Sequence, residues 1–370
     1  MKKPITVVFF IYFLGSGGAG RTFLNILNNI DRKKFRPVLV TCNYEGTYEP
    51  FLDEDIKFIK LKTKRLRKSI LPLAKIIRRE KADVVFSTIP NYNTIAILAR
   101  LLSFTRAKNV VREAAFLGGD EKTNRKLKLY GFLYRFAKRV VALSNGVKDN
   151  LIKRYNVKPK KINVIYNPID IESIRTKMTE PVTQFAEAFT GNKKTIITAG
   201  RLVDDKDHQT LIDGFALLKQ KLDAQLLILG EGELSETLIK QTEDRNVQYD
   251  VHFLGFQQNP YAYFYQSDLF AFTSKREGFG HVLAEALATG LPIVSTDCEP
   301  GATEVLENGK YAKFVPIGDA EALAKAMEDV LLQSDQQRQA MIEKGYERVN
   351  DFDVHKIVRE YEDVFEAAAR

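Results

Sequence analysis

Short runs of β-branched and aromatic residues alternate with helix-spaced apolar positions along almost the whole chain. This alternation constrains the fold more than any other feature. Residues 5–13 form the first run, and Pro37-Val38-Leu39-Val40, 56–61, 83–87, 109–113, 140–144 and 162–166 follow. Between them, Ile70, Leu73, Ala74 and Ile77 fall at i, i+3, i+4 and i+7, one face of a helix. Leu129, Phe132, Leu133 and Phe136 make a second such face, predicted to turn inward. Strands alternating with helices predict an α/β fold with parallel sheets covered on both sides. The pattern resumes with strands at 195–199, 225–229, 251–254 and 269–272, whose carboxyl ends carry Gly200-Arg201, Gly230-Glu231-Gly232, Gly255-Phe256 and Glu277. Ligands of open α/β sheets bind at that edge.

A chain of 370 residues is long for one core, which predicts two domains. The first is assigned to residues 1–180 and the second to 195–352. Between them, 181–194 lacks periodicity, contains Pro181, Gly191 and Asn192, and reads as a linker. Residues 353–370 read as a terminal helix. The start, two lysines before an apolar stretch, could pass for a secretory leader, but a glycine cluster follows instead of an A-x-A site, so a buried strand is expected. No run of about 20 apolar residues predicts a membrane-spanning helix. Cys42 and Cys298 offer neither a disulfide framework nor metal spacing, which suggests a reducing, cytoplasmic setting.

Charge is divided between the halves. Residues 1–180 carry 37 Lys and Arg against 15 Asp and Glu, a net of +22, and residues 181–370 carry 19 against 32, a net of −13. The first half is therefore expected to face something anionic. Two of its helices are basic: Lys64, Arg65, Arg67, Lys68, Lys75, Arg78 and Arg79 surround one, and Arg125, Lys126, Lys128, Arg135, Lys138 and Arg139 surround the other. They are either solvated faces opposite a core face or a surface apposed to the inner face of the plasma membrane. No nucleic-acid-binding pattern appears, so nucleic acid is not expected as a partner.

Two glycine-rich stretches carry the chemistry. In the first, Gly15, Gly17 and Gly20 satisfy G-x-G-x-x-G, with Gly18 and Arg21 beside them. The second strand ends in Thr41-Cys42-Asn43, without the acidic residue a dinucleotide ribose requires, so a nicotinamide cofactor is disfavoured. In the second, 274–305, Glu277-Gly278-Phe279-Gly280 precedes a helix expected from His281, and Glu285 lies on that helix. Gly290 and Pro292 end it before the strand at Ile293-Val294. A glycine-flanked helix N-terminus is a seat for phosphate, and two adjacent carboxylates can accept hydrogen bonds from sugar hydroxyls.

The spacing Glu277-x7-Glu285 within E-G-F-G-x-V-L-x-E-A-x-A-x-G-x-P-[IV]-V resembles the donor-site signature of the retaining glycosyltransferases of family 4. The resemblance is specific over residues 195–307, moderate over 15–21 and weak over 43–139, where the acceptor should bind. It implies the GT-B fold, two Rossmann-like domains facing each other across a cleft, with the C-terminal helix packing back on the first. It also implies transfer of a sugar from a nucleotide sugar, most often a UDP-sugar, to a glycan or lipid-linked acceptor in cell-envelope polysaccharide synthesis. The residues carried over as catalytic are Arg201, Lys206 and Glu277. The donor set adds Gly17, Gly18, Arg21, Gly255, Gly278, Phe279, Gly280, His281, Val282, Leu283 and Glu285, with the amides of 280–283 approaching the phosphates. Fixed cations would stabilise the departing nucleoside diphosphate. Asn91, Glu113 and Asn145 are the acceptor-side candidates. No metal or other cofactor is implied, and the acidic group Asp204, Asp205 and Asp207 is a poor magnesium cage.

Two departures stand out. Many relatives carry a His in the first domain, whereas here His208, His252, His281 and His355 all lie outside it, and Glu113-Ala114 occupies the usual place. Arg21 stands where relatives often have Glu. A UDP-sugar 2-epimerase or a glycan phosphorylase would share the architecture, and a non-catalytic anionic-surface binder would share the charge.

Overall fold

The computed structural model describes residues 3–15, 17–182 and 184–370. Met1, Lys2, Ser16 of the first glycine-rich loop and Thr183 lie outside them. The chain divides into two compact units: Met1–Pro168 with Asp353–Arg370, and Ile169–Phe352.

The first unit holds strands β1 (Ile5–Phe10), β2 (Phe35–Thr41), β3 (Lys57–Lys60), β4 (Val84–Thr88), β5 (Lys108–Glu113), β6 (Arg139–Ala142) and β7 (Ile162–Val164). They form one sheet in the order β3-β2-β1-β4-β5-β6-β7. Every pairing is parallel. Its helices are α1 (Gly18–Asn29), α2 (Ile70–Arg79), α3 (Pro90–Ser103), α4 (Glu121–Tyr134) and α5 (Asn145–Lys153). Alternation along β1 divides the core. Val7, Phe9 and Ile11 pack with α1, while Val8 and Phe10 pack with α2 and α3.

The C-terminal helix, Val354–Ala369, closes the α1 side. Its Ile357, Val358, Tyr361 and Phe365 join Phe9, Phe23 and Phe86 in one core. Phe365 meets Phe86 and Phe9 edge-on at centroid distances of 5.2 and 5.9 Å. Each such pair is worth about 0.5–1.5 kcal/mol beyond its buried area. Arg112 of β5 is also buried, and its guanidinium donates to the Tyr361 hydroxyl (3.1 Å), to Thr88 (3.0 Å) and to Asn167. This cation ties the terminal helix to the sheet.

The second unit repeats the plan with β8 (Lys194–Ala199), β9 (Ala224–Leu229), β10 (Val251–Gly255), β11 (Leu269–Phe272), β12 (Ile293–Thr296) and β13 (Lys313–Val315), ordered β10-β9-β8-β11-β12-β13. These pairings are parallel as well. The helices used below are α6 (Ile171–Lys177), α7 (His208–Lys219), α8 (Ser235–Asp244), α9 (Pro260–Gln266) and α10 (His281–Ala288). In each sheet the order reverses once, at β1/β4 and at β8/β11. Such a switch point leaves a crevice at the strands' carboxyl ends.

Three expectations are corrected. The unit boundary falls at Pro168/Ile169, not within 181–194. Asp170 caps α6 by accepting from the Ser173 amide (2.9 Å), and Asn259 at the start of α9 donates to the Lys177 carbonyl (2.8 Å), which fastens α6 to the second unit. Part of the expected linker is also ordered, as a short 3₁₀ turn at Ala186–Phe189. The first strand ends at Phe10, not residue 13. Finally, the apolar face drawn through Leu129, Phe132, Leu133 and Phe136 does not turn inward: α4 buries Leu127, Tyr130, Gly131 and Tyr134 instead. No described helix is long and apolar enough to cross a membrane.

Candidate functional site

The β8/β11 switch point of the second unit gathers the predicted catalytic residues. Arg201 follows β8, Lys206 ends the 3₁₀ turn Asp204–Lys206, and Glu277 lies in the loop after β11. That loop and the turn are laced together. The Lys275 amide donates to the Asp205 carbonyl (2.8 Å), and the Thr273 hydroxyl donates to the Lys206 carbonyl (3.1 Å). Lys275 pairs with Asp204 and Arg276 with Asp205, each at 2.9 Å. The acidic group at 204–207 therefore serves to join two loops. Among the described residues no cluster of His, Cys, Asp and Glu is arranged to hold a metal ion.

This lacing brings the Lys206 ammonium onto the Glu277 carboxylate and within 5.6 Å of the Phe272 ring centre. Burial first, and the Arg201 guanidinium second, push Lys206 down to about 8. Even so, a group titrating at about 8 is mostly charged at neutral pH. Arg201 is exposed and has no carboxylate partner among the described residues. Burial, and next the Lys206 charge, push His208 down to about 4, so it adds no charge at neutral pH. Glu277 is fixed from behind: its carbonyl accepts from the Gly301 amide (3.1 Å), and it forms a β-bridge with Pro300.

Gly280 starts α10 with φ 77° and ψ 61°, a left-handed conformation that an L side chain resists. It turns the backbone of Glu277-Gly278-Phe279 into the helix. His281 and Val282 are half-buried at the first turn. Glu285 is buried one turn later, where it accepts from the Tyr261 hydroxyl of α9 at 3.1 Å. Gly255 lies at the same sheet edge, its carbonyl accepting from the Gly230 amide (2.7 Å).

Not every predicted contact is available. The Leu283 amide donates to the Gly280 carbonyl (2.9 Å) and its side chain is wholly buried, so it is withdrawn from the phosphate-facing set. The Phe279 ring is core, packed edge-on against Phe352 at 5.1 Å, so only its backbone faces the loop. Tyr261 was missed, because one tyrosine in the aromatic run 260–265 carries no distinguishing spacing.

In the first unit, Gly17 precedes α1 as its cap and Gly18 begins it. The Arg21 guanidinium lies over the Tyr48 ring at 4.6 Å. Asn91 and Asn145 are exposed at the starts of α3 and α5, on the carboxyl edge of the sheet, and Asn91 accepts from the Tyr130 hydroxyl (2.6 Å). Glu113 does not join them. It is 0% exposed, and it accepts from the Tyr134 hydroxyl, from Tyr155 (3.1 Å) and from Asn93 (3.2 Å). Its burial, the largest influence, raises its pKa from 4.5 to about 7, against the hydroxyl and amide donors and the Arg112 charge. A carboxyl so enclosed cannot touch an acceptor, so its role is structural.

Two parallel-sheet units, one presenting two cations and two carboxylates at its switch point, define a class of enzymes that handle nucleotide-activated substrates. Comparison with known proteins agrees. Residues 16–173 match the family model described as Glycosyltransferase Family 4, and residues 180–348 match that described as Glycosyl transferases group 1. The chain is 30% identical to the N-acetylgalactosamine-N,N'-diacetylbacillosaminyl-diphospho-undecaprenol 4-alpha-N-acetylgalactosaminyltransferase of Campylobacter jejuni, over 95% of this chain and 96% of that one. It is 25% identical to an Escherichia coli UDP-Gal:alpha-D-GlcNAc-diphosphoundecaprenol alpha-1,3-galactosyltransferase, over 94% and 93%. Among solved structures, Anabaena HepE in complex with UDP-glucose superposes with a TM-score of 0.84 at 20% identity, over 98% of this chain and 100% of that one. The chain belongs to glycosyltransferase family 4, and its fold is GT-B.

Proposed function

We propose that the protein transfers a hexose or N-acetylhexosamine from a UDP-sugar to a hydroxyl of a lipid-linked glycan, with retention of anomeric configuration and without a metal ion. The observation that carries this reading is the Lys206–Glu277 pair beside Arg201 at the β8/β11 edge. As the glycosidic carbon–oxygen bond breaks, negative charge collects on the leaving diphosphate. In this reading Arg201 and Lys206 stabilise that charge, Lys206 from a largely buried position. Glu277 holds Lys206 in register and accepts from a donor sugar hydroxyl. Glu285, steadied by Tyr261, accepts from the ribose hydroxyls. The acceptor oxygen bonds to the anomeric carbon on the face the diphosphate leaves, and its proton passes to the leaving phosphate oxygen, so no protein base is required.

The choice of UDP is supported by the Escherichia coli relative, named for a UDP-galactose donor, and by the UDP-glucose held in the Anabaena structure. The lipid-linked acceptor is supported by the two relatives named for undecaprenyl diphosphate substrates. Such work belongs to the synthesis of bacterial surface polysaccharides and glycans, done on the cytoplasmic side. The test is thermal unfolding with UDP, GDP, ADP and their sugar conjugates. A ligand at about 100 times its dissociation constant stabilises by about 2.7 kcal/mol. A rise in Tm specific to uridine nucleotides supports the reading, and a guanosine- or adenosine-specific rise contradicts the donor assignment.

A further inference from the structure

Helix α4 is turned about its own axis relative to its apolar spacing. Leu129 is 59% exposed, Phe132 51% and Phe136, in the turn that follows, 46%. Specific anchors on the opposite face hold this orientation. The Tyr134 hydroxyl donates to Glu113, and the Tyr130 hydroxyl donates to Asn91. Gly131 lies so close to the Tyr155 carbonyl that a Cβ there would overlap it. Rotating the helix to bury the phenylalanines would break both hydrogen bonds and drive a side chain into that backbone. The sequence thus specifies, with polar groups and one glycine, that the most apolar stripe of this helix faces out.

The stripe is continuous. Arg125, Leu129, Phe132 and Phe136 follow one another at helical spacing, so this is not scattered surface hydrophobicity. Phe132 and Phe136 meet edge-on at 6.2 Å, and the Arg135 guanidinium lies 5.4 Å from the Phe132 ring centre. Arg100 of α3 donates to the Phe136 carbonyl (2.8 Å), setting the end of α3 alongside, and just beyond that end Phe104 is 85% exposed. Lys126, Lys128, Arg135 and Lys138 are exposed around the stripe. The one acid on the helix, Glu121, is already paired with Arg125 at 3.0 Å. By contrast α2, also basic, keeps Leu73, Ala74, Ile76 and Ile77 buried and exposes a single large apolar side chain, Leu71, with no apolar neighbour along its outer face to make a row.

A row of large apolar side chains bordered by cations fits one kind of partner, the interfacial layer of an anionic bilayer. We propose that α4 is a membrane-docking face. Leu129, Phe132 and Phe136 enter the headgroup–acyl boundary, and Lys126, Lys128 and Arg135 meet lipid phosphates. This docking stands on α4 alone and does not depend on the donor or acceptor assigned above.

The test is co-sedimentation of the full chain with vesicles of pure phosphatidylcholine and with vesicles of equal parts phosphatidylcholine and phosphatidylglycerol. Wild type is compared with Phe132→Ser/Phe136→Ser and with Lys126→Glu/Lys128→Glu. Wild type is expected to sediment with anionic vesicles only, and less so as salt rises. Each double variant should lose about tenfold or more of that binding while keeping its Tm and its nucleotide-induced rise in Tm. The proposal is overturned by wild type that stays in the supernatant, or by a serine variant that binds like wild type. Light scattering supplies the remaining arm. A dimer that the serine variant dissolves would assign the ridge to a second copy and overturn docking to lipid.

Discussion

Replacing Glu113 by Gln should make the protein's stability less sensitive to alkali. In the folded chain this carboxyl titrates at about 7, and its ordinary value is 4.5. The folded pKa is raised, so its stabilising contribution is complete below 4.5, declines from there upward, and is lost as pH passes through about 7. At about 1.4 kcal/mol per pH unit, the full effect is roughly 3 kcal/mol. Glutamine carries no charge at any pH. Its amide also loses one acceptor facing Tyr134 and Tyr155, a cost that does not vary with pH. Urea unfolding of both proteins at pH 5 and pH 8.5 separates the two effects. The stability of wild type relative to the variant should fall by up to about 3 kcal/mol between those pH values. A difference that stays flat would refute the buried, proton-holding carboxyl and with it the structural role given to Glu113.

Other expectations follow from the same geometry. Arg112→Ala takes one buried donor from each of the Tyr361 hydroxyl, the Thr88 hydroxyl and the Asn167 amide oxygen, and should cost about 3 kcal/mol or more in urea unfolding. Tyr261→Phe removes one hydrogen bond to Glu285 and should weaken nucleotide binding about fivefold by titration calorimetry without changing the fold. Lys206→Ala should lower kcat by about 10²–10³. In wild type, kcat/KM should decline as pH rises through about 8 while Lys206 loses its proton. Lys206→Arg should abolish that decline, because a guanidinium stays charged there.

The parallel α/β plan was legible because a strand buried on both faces reads as a continuous apolar run, as in Val7–Phe10 or Leu226–Leu229. The donor edge was legible for a related reason. Glycines and charges gather where such strands end, and the 277–285 spacing sits at one of those ends. What escaped the reading depended on contacts distant in sequence. Apolar periodicity placed Phe132 inward, but Gly131 against Tyr155 and Tyr134 against Glu113 decide the helix's rotation, and neither partner is near it in sequence. Glu113 looked like a strand-end functional carboxylate because nothing local announces the two tyrosines that enclose it. The unit boundary at Pro168 was missed because α6 is only two turns long, too short for periodicity to register.

The most direct test of the central claim is to follow slow hydrolysis of an α-linked UDP-sugar by proton NMR and record which anomer is released first. The account predicts the α-anomer, formed in wild type and much slower in Lys206→Ala and Glu277→Gln. The β-anomer appearing first, or hydrolysis indifferent to both substitutions, would contradict a retaining reaction at the β8/β11 edge.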